Sequence, residues 1–162
     1  MSLITTSQTE VETKVIDVKY QEEVNIVGKL VAGRNNTQAL KGTITVPANA
    51  KYNANAQGFT MDAYVRVDGT TISTDSPIIS KGDSGYNLKF DRNGDVEVFV
   101  DGWDGGTLVY DMNPSDYNDG AWHRFSATAE AKGNQTELKL YFDGELVKTT
   151  TVNVAAPYDT AN

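Results

Sequence analysis

Trp103 stands in the segment Asp101-Gly-Trp-Asp-Gly-Gly106, an indole set among glycines and flanked by two carboxylates. That combination suits a sugar. A pyranose ring offers an apolar C–H face on which an aromatic can stack, and a rim of hydroxyls for Asp, Asn and backbone groups. Packing of Trp103 against a neighbouring loop fits the sequence equally well. Tyr117, between Asp116 and Asn118, is the second aromatic so placed. Tyr64 and Arg66 fall on the polar side of their strand, where they could line a concave sheet. Tyr141 lies opposite the Leu138/Leu140/Phe142 stripe.

The same loops suggest a hard cation. Ca²⁺ takes six to eight oxygens, which Asp/Asn/Gly loops supply. Asp101 and Asp104 from one loop and Asp116 and Asp119 from the next form the candidate set, with ordinary turn chemistry as the alternative. Asp91-Arg-Asn-Gly-Asp95 superficially resembles half an EF-hand loop. The glycine required at position six is Val96, however, and position twelve is Gly102 rather than Glu, so a hairpin turn is the expectation.

Bond-breaking chemistry finds little support. A glycosidase needs two positioned carboxyls, and alternate residues of a strand share a face. None of Glu10, Glu12, Glu22, Glu23, Glu97, Glu130, Glu137 and Glu145 is followed by Asp two residues on. Asp95 and Glu97 share a face but read as a solvated strand surface. His123 is the single histidine, and no G-x-S-x-G nucleophile elbow occurs. It is expected to be a packed or rim residue, and the chain is expected to be non-enzymatic.

The elements that must carry these residues read as strands. Thr (18) and Val (16) outnumber Leu (8) about four to one, and β-branched side chains favour the pleated surface. Gly, Asn and Asp together number 41 of 162 residues, which supplies many tight turns. Phe59, Met61, Ala63, Val65 and Val67 alternate with polar residues. Tyr86, Leu88 and Phe90, then Val96, Val98 and Val100, flank Asn93-Gly94 and predict a hairpin. Leu138, Leu140 and Phe142 lead through Asp143-Gly144 into a second. Further strands are expected at 14–20, 23–31, 40–46, 77–80, 107–111 and 123–129. No sustained helical spacing occurs. Strands with one apolar face need a second sheet to cover them, so the fold class is an all-β antiparallel sandwich.

Charge and composition narrow the partners. Fourteen Lys+Arg against 22 Asp+Glu give a net charge of −8, which argues against nucleic acid and anionic membrane surfaces. No apolar run is long enough to span a bilayer. The absence of cysteine excludes disulfides, thiolate zinc sites and a Cys nucleophile. The first residues lack the pattern of a signal peptide. Residues 1–13 read as a disordered or artificial leader, 14–154 as the sandwich and 155–162 as a linker or cut end. Asn35-Asn-Thr37 and Asn134-Gln-Thr136 match glycosylation sequons, a short pattern that carries little weight alone.

Four segments in order carry a resemblance. They are Gly58-Phe-Thr-Met-Asp-Ala-Tyr-Val-Arg-Val-Asp-Gly69, Pro77-Ile-Ile-Ser-Lys-Gly82 with Gly85-Tyr-Asn-Leu-Lys-Phe90, Asp119-Gly-Ala-Trp-His-Arg-Phe-Ser-Ala-Thr128, and Leu138-Lys-Leu-Tyr-Phe-Asp-Gly-Glu-Leu-Val147. The chain resembles the laminin-G-like, concanavalin-A-like jelly rolls. The resemblance implies two antiparallel sheets and a carbohydrate- or protein-binding role. It implies an accessory module of a large bacterial glycoside hydrolase, similar to domains attached to family 2 β-galactosidases, and hence an extracellular or cell-surface setting beside neighbouring domains. Ca²⁺ near the rim occurs in some members. Trp122 is expected inside, as in the family motif. The family continues past the last hairpin with two more strands, whereas this chain stops at Asn162. The fold is therefore expected either to lack its last strands or to finish its edge another way, and an unfinished edge would favour dimerisation. A glycan is the expected ligand, with a spacer or protein-binding role as the alternative.

Overall fold

The computed structural model describes residues 58–67, 69, 71–82, 85–101 and 106–156. Eight strands follow in order: β1 (Gly58–Arg66), β2 (Ser76–Ser80), β3 (Asn87–Phe90), β4 (Val96–Val100), β5 (Gly106–Tyr110), β6 (Trp122–Lys132), β7 (Gln135–Phe142) and β8 (Glu145–Val152). One short 3-10 turn, Pro114–Asp116, lies between β5 and β6, capped by the Asn113 side chain accepting from the Ser115 amide. The expected strands at 14–20, 23–31 and 40–46 lie outside the described residues.

The strands form two antiparallel four-stranded sheets, ordered β1-β6-β7-β8 and β2-β3-β4-β5. Turn chemistry sets the registers. In the β7–β8 hairpin, Phe142 faces Glu145 across a two-residue loop in which Asp143 (φ 48°) and Gly144 (φ 88°) are both left-handed. This is the backbone that a tight hairpin with right-twisted strands requires. In the β3–β4 hairpin, the Asp91 carboxylate accepts from the Asn93 and Asp95 amides at 2.7 and 3.1 Å, and Gly94 takes φ 88°. The EF-hand-like segment is thus a turn that uses its first carboxylate on its own backbone.

The alternating apolar residues face one another between the sheets. Met61, Phe125, Ala127, Leu138 and Leu140 from one sheet meet Leu88, Phe90, Val96, Val98, Val100 and Leu108 from the other. Strand β4 departs from simple alternation, since Glu97 and Phe99 are buried as well. Phe99 is 2% exposed although it points away from Val98 and Val100. Lys89 reaches Glu97 at 3.2 Å and lies 5.8 Å from the Phe99 ring centroid, so a buried carboxylate is neutralised locally. Strand β4 is therefore buried on both faces, where the sequence pattern predicts one.

Thr136 fixes the chain beyond β8. Its hydroxyl is fully buried and donates to the Val154 carbonyl at 2.7 Å. Thr136→Val keeps the shape and strands that carbonyl. It is expected to lower stability by about 1–3 kcal/mol in chemical denaturation; an unchanged midpoint would show that the carbonyl finds another donor.

Candidate functional site

Strand parity decides which side chains of the β1-β6-β7-β8 sheet face outward. Phe125, Ala127 and Ala129 enter the core, so Trp122, Arg124 and Ser126 face away from it. On β1, Met61 and Ala63 enter the core and Asp62, Tyr64 and Arg66 face outward. The register pairs Arg66 with Trp122, Tyr64 with Arg124, and Asp62 with Ser126, which in turn pairs with Tyr141.

The outcome corrects the expectation for Trp122. It is 36% exposed on this face, not packed in the core. The physical reason is register: an indole one strand step out of phase with Phe125 cannot share its side of the sheet. Tyr64 (45%) and Leu146 (53%) are exposed on the same face, with Tyr141 half-buried between strands. Polar groups are ordered around these rings. The Arg124 guanidinium grips Asp62 with two N–H donors, one at 2.9 Å, and Ser126 Oγ donates to the same carboxylate at 2.7 Å.

Tyr117 requires a second correction. It is 2% exposed, 4.9 Å from the Phe90 ring, and its hydroxyl donates to the Gly94 carbonyl at 3.1 Å. Burial, then the charges of Asp95 and Asp91, raise its pKa. A ring so enclosed offers no face to a ligand. Asp101 follows β4 as an exposed residue at φ 57°. Trp103 and Asp104 lie outside the described residues.

The calcium set is not assembled by the residues described. Among them, no group of three or more Asp, Glu or His side chains is placed to hold a metal ion. Asp116 is exposed beside the 3-10 turn. Asp119 Oδ1 accepts from the Ala121 amide at 2.7 Å and is bonded to His123 Nε2 at 3.1 Å, so it serves the protein rather than a metal.

His123 is the group whose role the sequence understates. Its Nδ1 lies 2.8 Å from Asp143 Oδ2 and its Nε2 lies 3.1 Å from Asp119 Oδ1. Its ring stacks on Phe142 at 5.0 Å. Carboxylates only accept, so both bonds are made together only when both ring nitrogens carry a proton, as in the imidazolium. Burial opposes that charge, but the bonds and charges of Asp143 and Asp119 outweigh it and raise the pKa above the ordinary 6.5. The Ala121 amide and then His123 hold Asp119 low. Burial raises Asp143, and the Arg124 amide and His123 more than reverse this. Asp143 also accepts from the Arg124 amide at 2.8 Å, while its own amide donates to the Arg124 carbonyl at 2.9 Å. The Gly120 amide donates to the Val67 carbonyl at 3.0 Å. The segment 119–124 is thus tied to the end of β1 and to the β7–β8 turn.

Two antiparallel sheets closed on one apolar core define an all-β sandwich, here with an aromatic and polar outer face. Residues 34–162 match the family model described as the concanavalin A-like lectin/glucanases superfamily. The chain belongs to that family. No curated protein matches it.

Proposed function

We propose that this domain is a non-catalytic carbohydrate-binding module, appended to an extracellular bacterial glycoside hydrolase such as a β-galactosidase. The family is compatible with a carbohydrate-binding or accessory role. The observation that carries the reading is the outward pairing of Trp122 and Tyr64 on neighbouring strands, with Arg66, Arg124 and Asp62 beside them. The rings offer stacking surfaces for the C–H face of a sugar, and the charged groups offer hydrogen-bond partners for its hydroxyls. Trp103, with Asp101 and Asp104, is a second proposed contact that rests on sequence alone.

The absence of catalysis is part of the proposal. His123 is engaged at both nitrogens, and Asp62 is held by Arg124 and Ser126, so neither is poised as a base or nucleophile. An open site of this kind gives a Kd on the order of micromolar to millimolar. Tethering then raises the local concentration of the attached enzyme at its polymer without new chemistry.

Affinity electrophoresis through galactan, xylan and glucan gels, with a glycan array, tests the reading. Trp122→Ala is expected to weaken retention about tenfold, roughly 1.4 kcal/mol, with an unchanged circular-dichroism spectrum and melting temperature. Retention that survives Trp122→Ala and Tyr64→Ala but is lost in Trp103→Ala would move the site to the rim. Failure to bind any glycan would favour a spacer.

A further inference from the structure

We propose that Asp119, His123 and Asp143 form a proton-controlled latch that positions Trp122. With His123 charged, the latch holds the segment 119–123 closed and Trp122 fixed on the outer face. When the ring loses a proton, one of its two carboxylate bonds is lost and the segment loosens. The consequence for ligand affinity rests on the reading of that face as a glycan site; the positioning of Trp122 does not.

The geometry makes the coupling direct. Trp122 lies between the two residues that the latch joins, since Asp119 and His123 bond to each other across it in sequence. The second ring nitrogen anchors the same segment to the neighbouring hairpin through Asp143. A neutral imidazole has one N–H and can donate to only one of these carboxylates. The other carboxylate then faces a lone pair, which is repulsive at hydrogen-bond distance. The ring's other neighbours carry no charge: on β1 its cross-strand partner is Val65, and on β7 it stacks on the Phe142 ring. The charged groups acting on it are Asp143 from the β7–β8 turn and Asp119 from the segment before β6. Arg124, next in sequence, points to the opposite face, where Asp62 holds it.

The sign follows from linkage. His123 titrates higher in the folded protein than its ordinary 6.5. Its contribution is therefore complete below that ordinary value and is lost as pH rises through the raised folded value. Asp119 and Asp143 titrate lower than ordinary, so their contribution is present above the usual carboxylate range and is lost as pH falls through their depressed values. The latch is closed between these limits and opens at both ends.

The chain contains two tryptophans, so Trp103→Phe leaves Trp122 as the sole indole. Steady-state anisotropy and acrylamide quenching of that variant between pH 5 and pH 10 read the mobility of Trp122, while nitrogen-15 NMR of the His123 ring reads its protonation. The expected result is a ring with two N–H groups at pH 6.5, and a fall in anisotropy that tracks its titration above that pH. Asp119→Asn is expected to move the midpoint of both signals down together. His123→Gln is expected to abolish the transition and leave Trp122 mobile throughout. A singly protonated ring at pH 6.5, or a Trp122 signal that stays flat while His123 titrates, would overturn the proposal.

Affinity electrophoresis of the unmodified chain on the same gels at each pH provides the second arm. Where only about a tenth of the molecules keep the latch closed, apparent affinity is expected to fall about tenfold. A fluorescence transition without retention on any gel at any pH would uphold the positioning of Trp122 and defeat the glycan reading. Retention that does not change with pH while Trp122 loosens would overturn the link from latch to site.

Discussion

Phe125→Ala is expected to destabilise the domain by about 3–5 kcal/mol, the range for deleting a fully enclosed phenylalanine. The side chain, in the first half of β6, is 1% exposed. Its ring meets Phe90 edge-on at 5.3 Å and Phe142 at 5.1 Å. It is the central member of a chain of rings that runs from His123 through Phe142, Phe125 and Phe90 to Tyr117. Its removal opens a cavity between the two sheets and also forfeits two aromatic contacts, each worth about 0.5–1.5 kcal/mol beyond area burial. Guanidinium denaturation measures the loss directly. A cost below about 1 kcal/mol would mean that the sheets collapse onto the space and that the chain of rings does not hold them apart.

Gly58→Ala is the second large effect, expected to reach about 2–4 kcal/mol. Gly58 opens β1 opposite Glu130 at φ 125°, a conformation that L side chains rarely adopt. A Cβ there would stand 2.1 Å from the Ala129 carbonyl oxygen and 3.2 Å from the Glu130 Cα. Both are backbone atoms of the paired strand, so no rotamer change relieves the clash and β1 must move away from β6. Gly133→Ala is the control. It too has a positive φ, 67°, but a Cβ there would meet no atom within 4 Å. It is expected to lose only about 1 kcal/mol. Equal drops in melting temperature for the two variants would show that backbone conformation alone, not the close approach of the strands, sets the cost.

Much of the fold could be read from local chemistry. Asn93-Gly94 and Asp143-Gly144 both fall where the hairpins turn, with left-handed backbone at Gly94 in the first and at Asp143 and Gly144 in the second. The stripes Val96/Val98/Val100 and Leu138/Leu140 lead straight to the core. The far end of β6 was less visible. Glu130, Ala131 and Lys132 carry no large apolar side chain, yet the strand runs to Lys132 before turning at Gly133. Long-range partners explain the errors at the site. Tyr117 sits in a polar segment, and only the Gly94 carbonyl from another hairpin reveals that its hydroxyl is satisfied inside. The family resemblance implied a core position for Trp122, although counting from Phe125 already places it on the other side of the sheet. His123 pairs with Asp119 four residues earlier and with Asp143 from a turn twenty residues on. Asp143 reads locally as a turn residue, and its second task appears only when the hairpin is brought beside β6.

The strand order carries a consequence for how the domain is put together. Strands β2 to β5 and strands β6 to β8 each pair with their sequence neighbours, so each set can zip from its own turns. Strand β1 instead pairs with β6, and Arg66 meets Trp122 only after all the chain between them has been looped out. Such closure is entropically the most demanding step among these pairings. Tyr64 and Trp122 come from the two sides of that one seam. A half-assembled chain, however much β-structure it holds, has no paired aromatic surface, so the proposed glycan face exists only in molecules that have finished folding.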